Sequence, residues 1–439
     1  MWLYRDKARH SDSQEETEMS QAALKNPAEI DHVARAATMP LEEINIADPD
    51  IFQADAIWPY FERLRKDAPV HKAHSEEFGD YWSVTRYEDI MAVDTNHKVF
   101  SSDWTHGGIT LFDQISDFQL PMFIAMDPPK HDAQRITVQP IVAPNNLKNW
   151  EGLIRERTGH ILDSLPRGET FDWVDKVSVE LTTMMLATLF DFPFEERRKL
   201  TRWSDVATGR NNPEIVKDDE QWRSELMECL GAFTDIWNER VNADTPGNDL
   251  ITMLTRGEST KNMDPMEYLG NIILLIVGGN DTTRNSMTGS VYALNKFPAE
   301  YDKLIANPDL IPNLSSEIIR WQTPLAHMRR TAVEDIELNG AQIKKGDKVA
   351  MWYVSGNRDE TVFENANDVI IDRANARRQM SFGYGIHRCV GNRLGELQIK
   401  ILWEEVLKRF PKIELMEEPT RTKSIFVKGY TYMPVRIPA

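Results

Sequence analysis

The chain of 439 residues is poor in sulfur ligands, holding only two cysteines, Cys229 and Cys389. A four-cysteine zinc site or a cysteine-bound iron–sulfur cluster is thereby excluded unless histidines complete the set. Also missing is any run of about 20 apolar residues, so no segment reads as a membrane-spanning helix. The N-terminus turns polar between Ser11 and Glu18 and lacks the apolar core of a secretory signal. Positive charge is scarce: 51 Lys and Arg against 69 Asp and Glu leave a net charge of −18. Such a surface repels nucleic-acid backbones and anionic membranes. There is no Gly/Ser-rich or Pro-rich linker, no internal repeat and no Gly-x-Gly-x-x-Gly dinucleotide fingerprint.

What remains is a composition that builds an ordinary core, with 41% hydrophobic and 27% charged residues. The expected organisation is a mobile N-terminal extension over residues 1–45, in which Met19 could serve as an alternative start, followed by one domain over 46–439. The protein is expected to be cytoplasmic and monomeric.

Hydrophobic periodicity is mostly helical. Ile51, Phe52, Ile57, Phe61 and Leu64 predict a first helix between Asp48 and Pro69 capped by Asp50. Tyr81 to Thr85 reads as a strand, followed by a helix from Tyr87 to Thr95. Trp150 to Met227 is mainly helical, and Cys229 falls in a helix around Trp222 to Trp237. Leu269 to Leu294 forms one long helix, and Asn392 to Phe410 another. Strand-like pieces at Ile336–Gly340, Asp347–Trp352 and Ser424–Tyr432 supply a minor β part, the first two read as a pair and the last as a hairpin. The fold class is mainly α with a smaller β component (α+β). Phe100 to Ile124 stands apart as a long apolar loop, including Phe112, Ile115, Phe118 and Leu120, and loops of that length are usually functional.

One segment carries the clearest chemistry. Phe382-Gly-Tyr-Gly-Ile-His-Arg-Cys-Val-Gly391 presents Cys389 on a glycine-flanked loop that leads into the helix from Asn392. Gly385 and Gly391 allow backbone conformations that wrap a sulfur closely. The helix N-terminus directs amides and positive dipole at Cys389, which lowers the thiol pKa and favours a metal-binding thiolate. A buried structural thiol is the alternative, the usual state of a free cysteine. The pattern Phe382, Gly385, Cys389, Gly391 resembles the haem-binding loop of the cytochromes P-450, the haem-thiolate monooxygenases. The resemblance implies the P-450 fold, with a long central helix over the haem, and haem b held through Cys389 as axial iron ligand.

Further segments agree with that resemblance. Asn271 to Val277 is apolar on all faces and continues into Gly278-Gly-Asn-Asp-Thr-Thr283, where two glycines and an acid in a buried helix are costly. A helix distortion beside a haem face would account for them, because a Thr hydroxyl can bond the carbonyl one turn back. Asp281 would then relay protons and Thr282 would hold a water or proton donor at the oxygen site. The alternative is tight helix packing at the glycines, with Asp281 paired to an arginine. Propionates need cationic donors; His131 and Arg135, four apart on one helix, together with Arg330 and His387, match the positions at which the family supplies them. Phe382, Gly385 and Gly391 complete the cofactor-binding set. Glu317 and Arg320, about seventy residues before Cys389, and Arg373 correspond to the family's structural lock behind the cysteine loop.

The resemblance implies a reaction that takes one oxygen atom from dioxygen into an apolar small molecule. With no flavin domain or dinucleotide site, electrons are expected from a separate ferredoxin and ferredoxin reductase, docking on a basic patch of Arg377, Arg378, Arg388 and Arg393. The segments Gly278–Met287, Arg320–Ala332, Met351–Asp359 and Ile386–Arg393 resemble the bacterial subfamily that hydroxylates the terminal carbon of medium-chain alkanes, with fatty acids and primary alcohols as related linear chains. Gly395 departs from the alanine common there. Three alternatives stay open: a bulkier terpenoid or steroid substrate, a non-catalytic haem-thiolate sensor, and a helical binding protein without haem.

Overall fold

A computed structural model describes residues 27–113 and 117–439. Helices dominate and strands are short, as the periodicity predicts. The central helix, Pro265–Lys296, runs 32 residues. Its start is set by Asp264, whose side chain accepts the Met266 amide, and by Pro265 in the first turn, where a missing N–H costs nothing. Around it pack the helices Glu180–Phe190, Arg198–Thr208, Asp219–Val241, Ile311–Gln322 and Asn392–Arg409. Burial on nearly all sides explains why its sequence shows no polar stripe between Asn271 and Val277.

Five strands form a sheet in the order Val70–Ser75, Gly79–Val84, Lys348–Met351, Met328–Ala332, Phe100–Ser101. Only the Gly79–Val84 and Lys348–Met351 pair is parallel. This sheet brings Arg330, on its fourth strand, near the helix Tyr87–Thr95 that precedes the apolar loop. A three-stranded sheet, Thr170–Asp172 with Pro434–Arg436 and Glu414–Leu415, closes the chain.

Four local expectations change. The first helix is two helices: Asp48, not Asp50, caps Pro49–Gln53, and Asp55 at φ 55° breaks the run before Trp58–Asp67. Left-handed backbone at a non-glycine residue is a turn that apolar spacing does not reveal. Ile336–Leu338 pairs with Ala341–Ile343 through the positive-φ turn Asn339-Gly340, while Lys348–Met351 joins the large sheet instead. Asn-Gly is the strongest short hairpin signal and outweighs the longer pairing. The terminal hairpin pairs Thr420–Arg421 with Tyr430–Tyr432, so Ser424 to Val427 is its tip, tied back by a bridge from Val427 to Leu325. Within the extension expected to be mobile through residue 45, Pro27–Thr38 is helical and Ala36 and Ile44 join a core with Tyr60 and Phe61. Residues 1–26, including Met19, lie outside the described residues, as does Ile115.

Candidate functional site

The cysteine loop is held from three directions. Its Cys389 amide donates to the Phe382 carbonyl at 2.8 Å, closing the turn. Gly385 adopts φ 64°, and a Cβ there would stand 2.4 Å from the Asp94 carbonyl oxygen, so no side chain fits. Gly391 differs from expectation: it has an ordinary φ of −90° and nothing within 4 Å of a Cβ, so open space rather than backbone strain surrounds it. Behind the loop, Glu317 and Arg320 are fully buried and paired at 2.8 Å, and Arg373 reaches both Glu317 oxygens at 3.1 Å. Arg320 spends its other donors on the carbonyls of Asn357, Ala366 and Asp368. Asn357 in turn holds Met380 and Ser381 at the head of the loop. The trio thus converts a buried charge cluster into fixed backbone around Cys389.

Cys389 is exposed, although protein crowds it closely enough for burial to push its thiol pKa up; the Gly391 amide, Arg135 and Arg388 pull the other way. The sequence expectation of a depressed thiol pKa is corrected here, because desolvation outweighs the helix end. Iron coordination would itself deprotonate the sulfur.

Beside the loop lies a group of basic side chains. The rings of His131 and His387 meet edge to face at 4.3 Å, and both residues are buried. His131 Nε2 and both His387 ring nitrogens have no hydrogen-bond partner among the described residues. Burial, then the nearby charges of Arg330, His131, Arg135 and His97, drive the His387 pKa far down. Arg330 is 2% exposed and bonds Asp94 at 2.8 Å; Arg135 donates to the Arg388 carbonyl. Orphaned buried imidazoles among cations are a poor arrangement by themselves and a good one for carboxylates placed between them. A haem fits these residues: its propionates would meet His131, Arg135, Arg330 and His387, with Cys389 as the sulfur donor.

The central helix supplies the facing surface. Gly278 is exposed in the middle of a buried helix, and a Cβ there would meet nothing within 4 Å. The Thr282 hydroxyl donates to the Gly278 carbonyl at 2.8 Å, one turn back, as expected, yet the helix continues unbroken. Gly395, six residues beyond Cys389, approaches Thr283, so the cysteine helix and this turn lie against each other. Asp281 is 1% exposed; its carboxylate accepts from Ser204 at 3.0 Å, Asn280 at 3.1 Å and Arg284 at 2.6 Å. Arg284 also binds Asp205 at 3.0 Å. Burial raises the Asp281 pKa to about 6, against the opposing pull of Arg284.

A cavity of about 820 Å³ opens beside this helix, with Asp281 and Arg284 in its wall. Its lining includes Phe112, Phe118, Leu120 and Met122 from the apolar loop, Thr201, Arg202, Asp205 and Thr208 from the helix Arg198–Thr208, and the hairpin tip Ser424 to Val427. The far end of the loop is seated on the central helix: Asn271 accepts the Phe123 amide at 2.9 Å, and Gly270 leaves room for the Pro121 carbonyl, which a Cβ would strike at 2.2 Å. Cys389 and Thr282 do not line this cavity, whereas Asp281, the residue before Thr282, does.

The structure thus brings His131, Arg135, Arg330, Phe382, Gly385, His387, Cys389 and Gly391 around one loop, and Asp281 and Thr282 onto one turn of the central helix. Sequence reasoning missed Asp94, which is 2% exposed and binds Arg330, the Tyr353 hydroxyl and the Tyr384 amide. It also missed His97, Gly270, Asn271 and the Arg284–Asp205 pair. For Gly270 and Asn271 there was a signal: a small and an amide residue opening an otherwise aliphatic run.

The comparisons agree with this architecture. The sequence model of the cytochrome P450 family matches residues 212–429. Linalool 8-monooxygenase of Pseudomonas putida is 33% identical over 401 residues, covering 89% of this chain and 97% of that protein. Among solved structures, cytochrome P450-153 from Novosphingobium aromaticivorans is 47% identical with a TM-score of 0.84, over 90% of this chain and 99% of its own. CYP153D17 from Sphingomonas sp. PAMC 26605 is 51% identical, also with a TM-score of 0.84 and the same coverage. Fold, cysteine loop and relatives together make this chain a member of the cytochrome P450 family, a monooxygenase whose haem iron is bound by a cysteine thiolate.

Proposed function

We propose that this P450 inserts one oxygen atom of dioxygen into the terminal carbon of medium-chain n-alkanes or related linear chains, with electrons from a ferredoxin and its reductase. The observation that carries the reading is the apolar loop seated on the central helix: Leu120 to Phe123 rest on Gly270 and Asn271 immediately before Leu274, Leu275 and Gly278. A primary C–H bond is stronger than its secondary neighbours, so terminal attack needs walls that present only the chain end. A fixed apolar wall meets that requirement.

A haem bound here would supply the activation of dioxygen, with two electrons and two protons. Cys389 would provide the thiolate, while Phe382, Gly385 and Gly391 shape the loop around it. His131, Arg135, Arg330 and His387 would hold the propionates. Asp281 titrates close enough to neutrality to accept a proton from solvent and pass it on. Thr282 donates its hydroxyl hydrogen to Gly278, which leaves its oxygen free to accept from a water and orient it.

Arg377, Arg378, Arg388 and Arg393 are all exposed, and only Arg378 has a carboxylate partner among the described residues, Glu88 at 3.8 Å. Unneutralised arginines near the cysteine loop on a chain of net charge −18 suit an acidic ferredoxin. Arg388→Glu with Arg393→Glu should slow reduction by ferredoxin; unchanged kinetics would remove the patch from the account. No described helix is long and apolar enough to cross a membrane.

The test is product analysis from octane, decanoic acid and a bulky terpene with a surrogate ferredoxin. Oxidation at the chain end is expected. Predominantly internal hydroxylation of the linear chains would refute terminal selectivity, and preference for the terpene would favour the reading suggested by the linalool 8-monooxygenase relative.

A further inference from the structure

We infer that the cavity selects uncharged linear chains, alkanes and primary alcohols, over carboxylates of the same length, and that this discrimination fades as the chain grows long enough to leave its head group in solvent. The inference rests on the linear-chain reading above. Its basis is the state of the charges in the cavity wall, where Asp113 is already held by Arg329 and Lys348.

Five cations line the cavity, and each is already engaged. Glu225 holds Arg202 bidentately at 2.6 and 2.7 Å, and Asp219 holds Arg210 at 2.8 and 2.9 Å. Arg284 is shared by Asp281 and Asp205, Arg198 by Glu180 and Asp175, and Lys423 binds Asp50 at 2.5 Å. A guanidinium whose fork is filled offers an incoming carboxylate nothing that its present partner does not already take. Exposed pairs such as Arg198 with Asp175 add little stability, but breaking one merely exchanges one carboxylate for another.

The acids are not balanced in the same way. Glu77, Asp172 and Glu214 line the cavity without an ion pair among the described residues. Glu77 accepts from the Asn211 amide at 2.7 Å, and Asp172 accepts backbone amides of Val174 and Met433 at 3.0 Å. Glu77 and Glu214 are exposed and so mark the mouth, whereas Phe118, Leu120 and Met122 form the apolar interior. An anionic head group drawn into this passage gives up water, finds no free cation and meets uncompensated negative charge. A hydroxyl group loses far less. The same asymmetry would expel a carboxylate product.

The experiment is optical titration of the holoenzyme, following the spin-state change, with octan-1-ol, octanoate, hexadecan-1-ol and hexadecanoate at low and high salt. Octanoate should bind about tenfold or more weakly than octan-1-ol, with a gap that narrows at high salt. For the sixteen-carbon pair the ratio should approach one. Glu214→Arg should raise octanoate affinity relative to octan-1-ol. Equal affinities for the eight-carbon pair, or a ratio independent of chain length, would overturn this inference while leaving the linear-chain reading intact. Failure of all four probes to bind would overturn both.

Discussion

Around Cys389, the stabilising groups are buried and point inward: Glu317 and Arg320 are fully buried, Arg330 and Asp94 nearly so, and each arginine ends on backbone or on a buried acid. Around the cavity one buried pair, Asp281 with Arg284, belongs to the central helix, while the groups that hold the apolar loop are exposed. Arg223 holds Asp117 at 2.9 Å with the acid 66% exposed, and Phe118 meets Trp222 edge to face at 5.1 Å. Buried pairs are strong to break and rigid, whereas exposed pairs are cheap to open. The cysteine side can therefore fix one chemistry, and the cavity side can open for substrate and diverge between relatives without disturbing it.

Four single substitutions and one charge swap would break or sharpen that contrast. Glu317→Ala strands Arg320 and Arg373 in the interior and should cost about 3–5 kcal/mol of stability; thermal unfolding of the holoprotein checks it. Asp281→Asn should leave the fold intact and lower turnover about a hundredfold, roughly 2.7 kcal/mol of barrier, with electrons diverted to hydrogen peroxide. Stopped-flow reduction and product yield separate that effect from poor electron delivery.

His327 gives a pH test. It is 1% exposed, bonds the Ile425 carbonyl at 3.0 Å and packs on Trp352, and burial holds its pKa at about 4, against 6.5 for the free side chain. The unfolded chain therefore binds more protons below about 6.5. Stability should fall as pH drops from about 6.5 to about 4, by at most about 3 kcal/mol. His327→Phe should flatten that limb in urea titrations across the window. The smallest effect belongs to Asp117→Ala, which frees the loop from Arg223. Stability should barely change, while association of octan-1-ol quickens and internal hydroxylation rises. Asp117→Arg combined with Arg223→Asp should reverse both changes.

Legibility in the sequence follows the same division. The Cys389 loop and the Asp281-Thr282 turn were readable because their chemistry demands particular residues at short spacing, whereas the Glu317 trio, whose Arg373 lies far along the chain, was readable only through the family resemblance. The central helix was readable from its unbroken apolar run, and the terminal sheet only in outline. Asp94 was not readable: nothing local separates it from a surface aspartate, and its partners lie more than 230 residues away in the chain. Gly391 was misread because a glycine's reason, strain or space, depends on what stands beside it. The thiol pKa was misread because a helix end is visible in sequence and desolvation is not. The cavity was the least legible region, since its cations meet acids from other elements, as Arg202 does with Glu225.

The measurement closest to the central claim is the visible spectrum of the reduced protein under carbon monoxide, for the wild type and for Cys389→Ser. The account predicts the thiolate-type shifted Soret band in the wild type and its loss in the variant, with Cys229 unable to replace it because it is buried in another helix. A wild-type spectrum without the shifted band, or a variant that retains it, would contradict the assignment of Cys389 as the axial ligand.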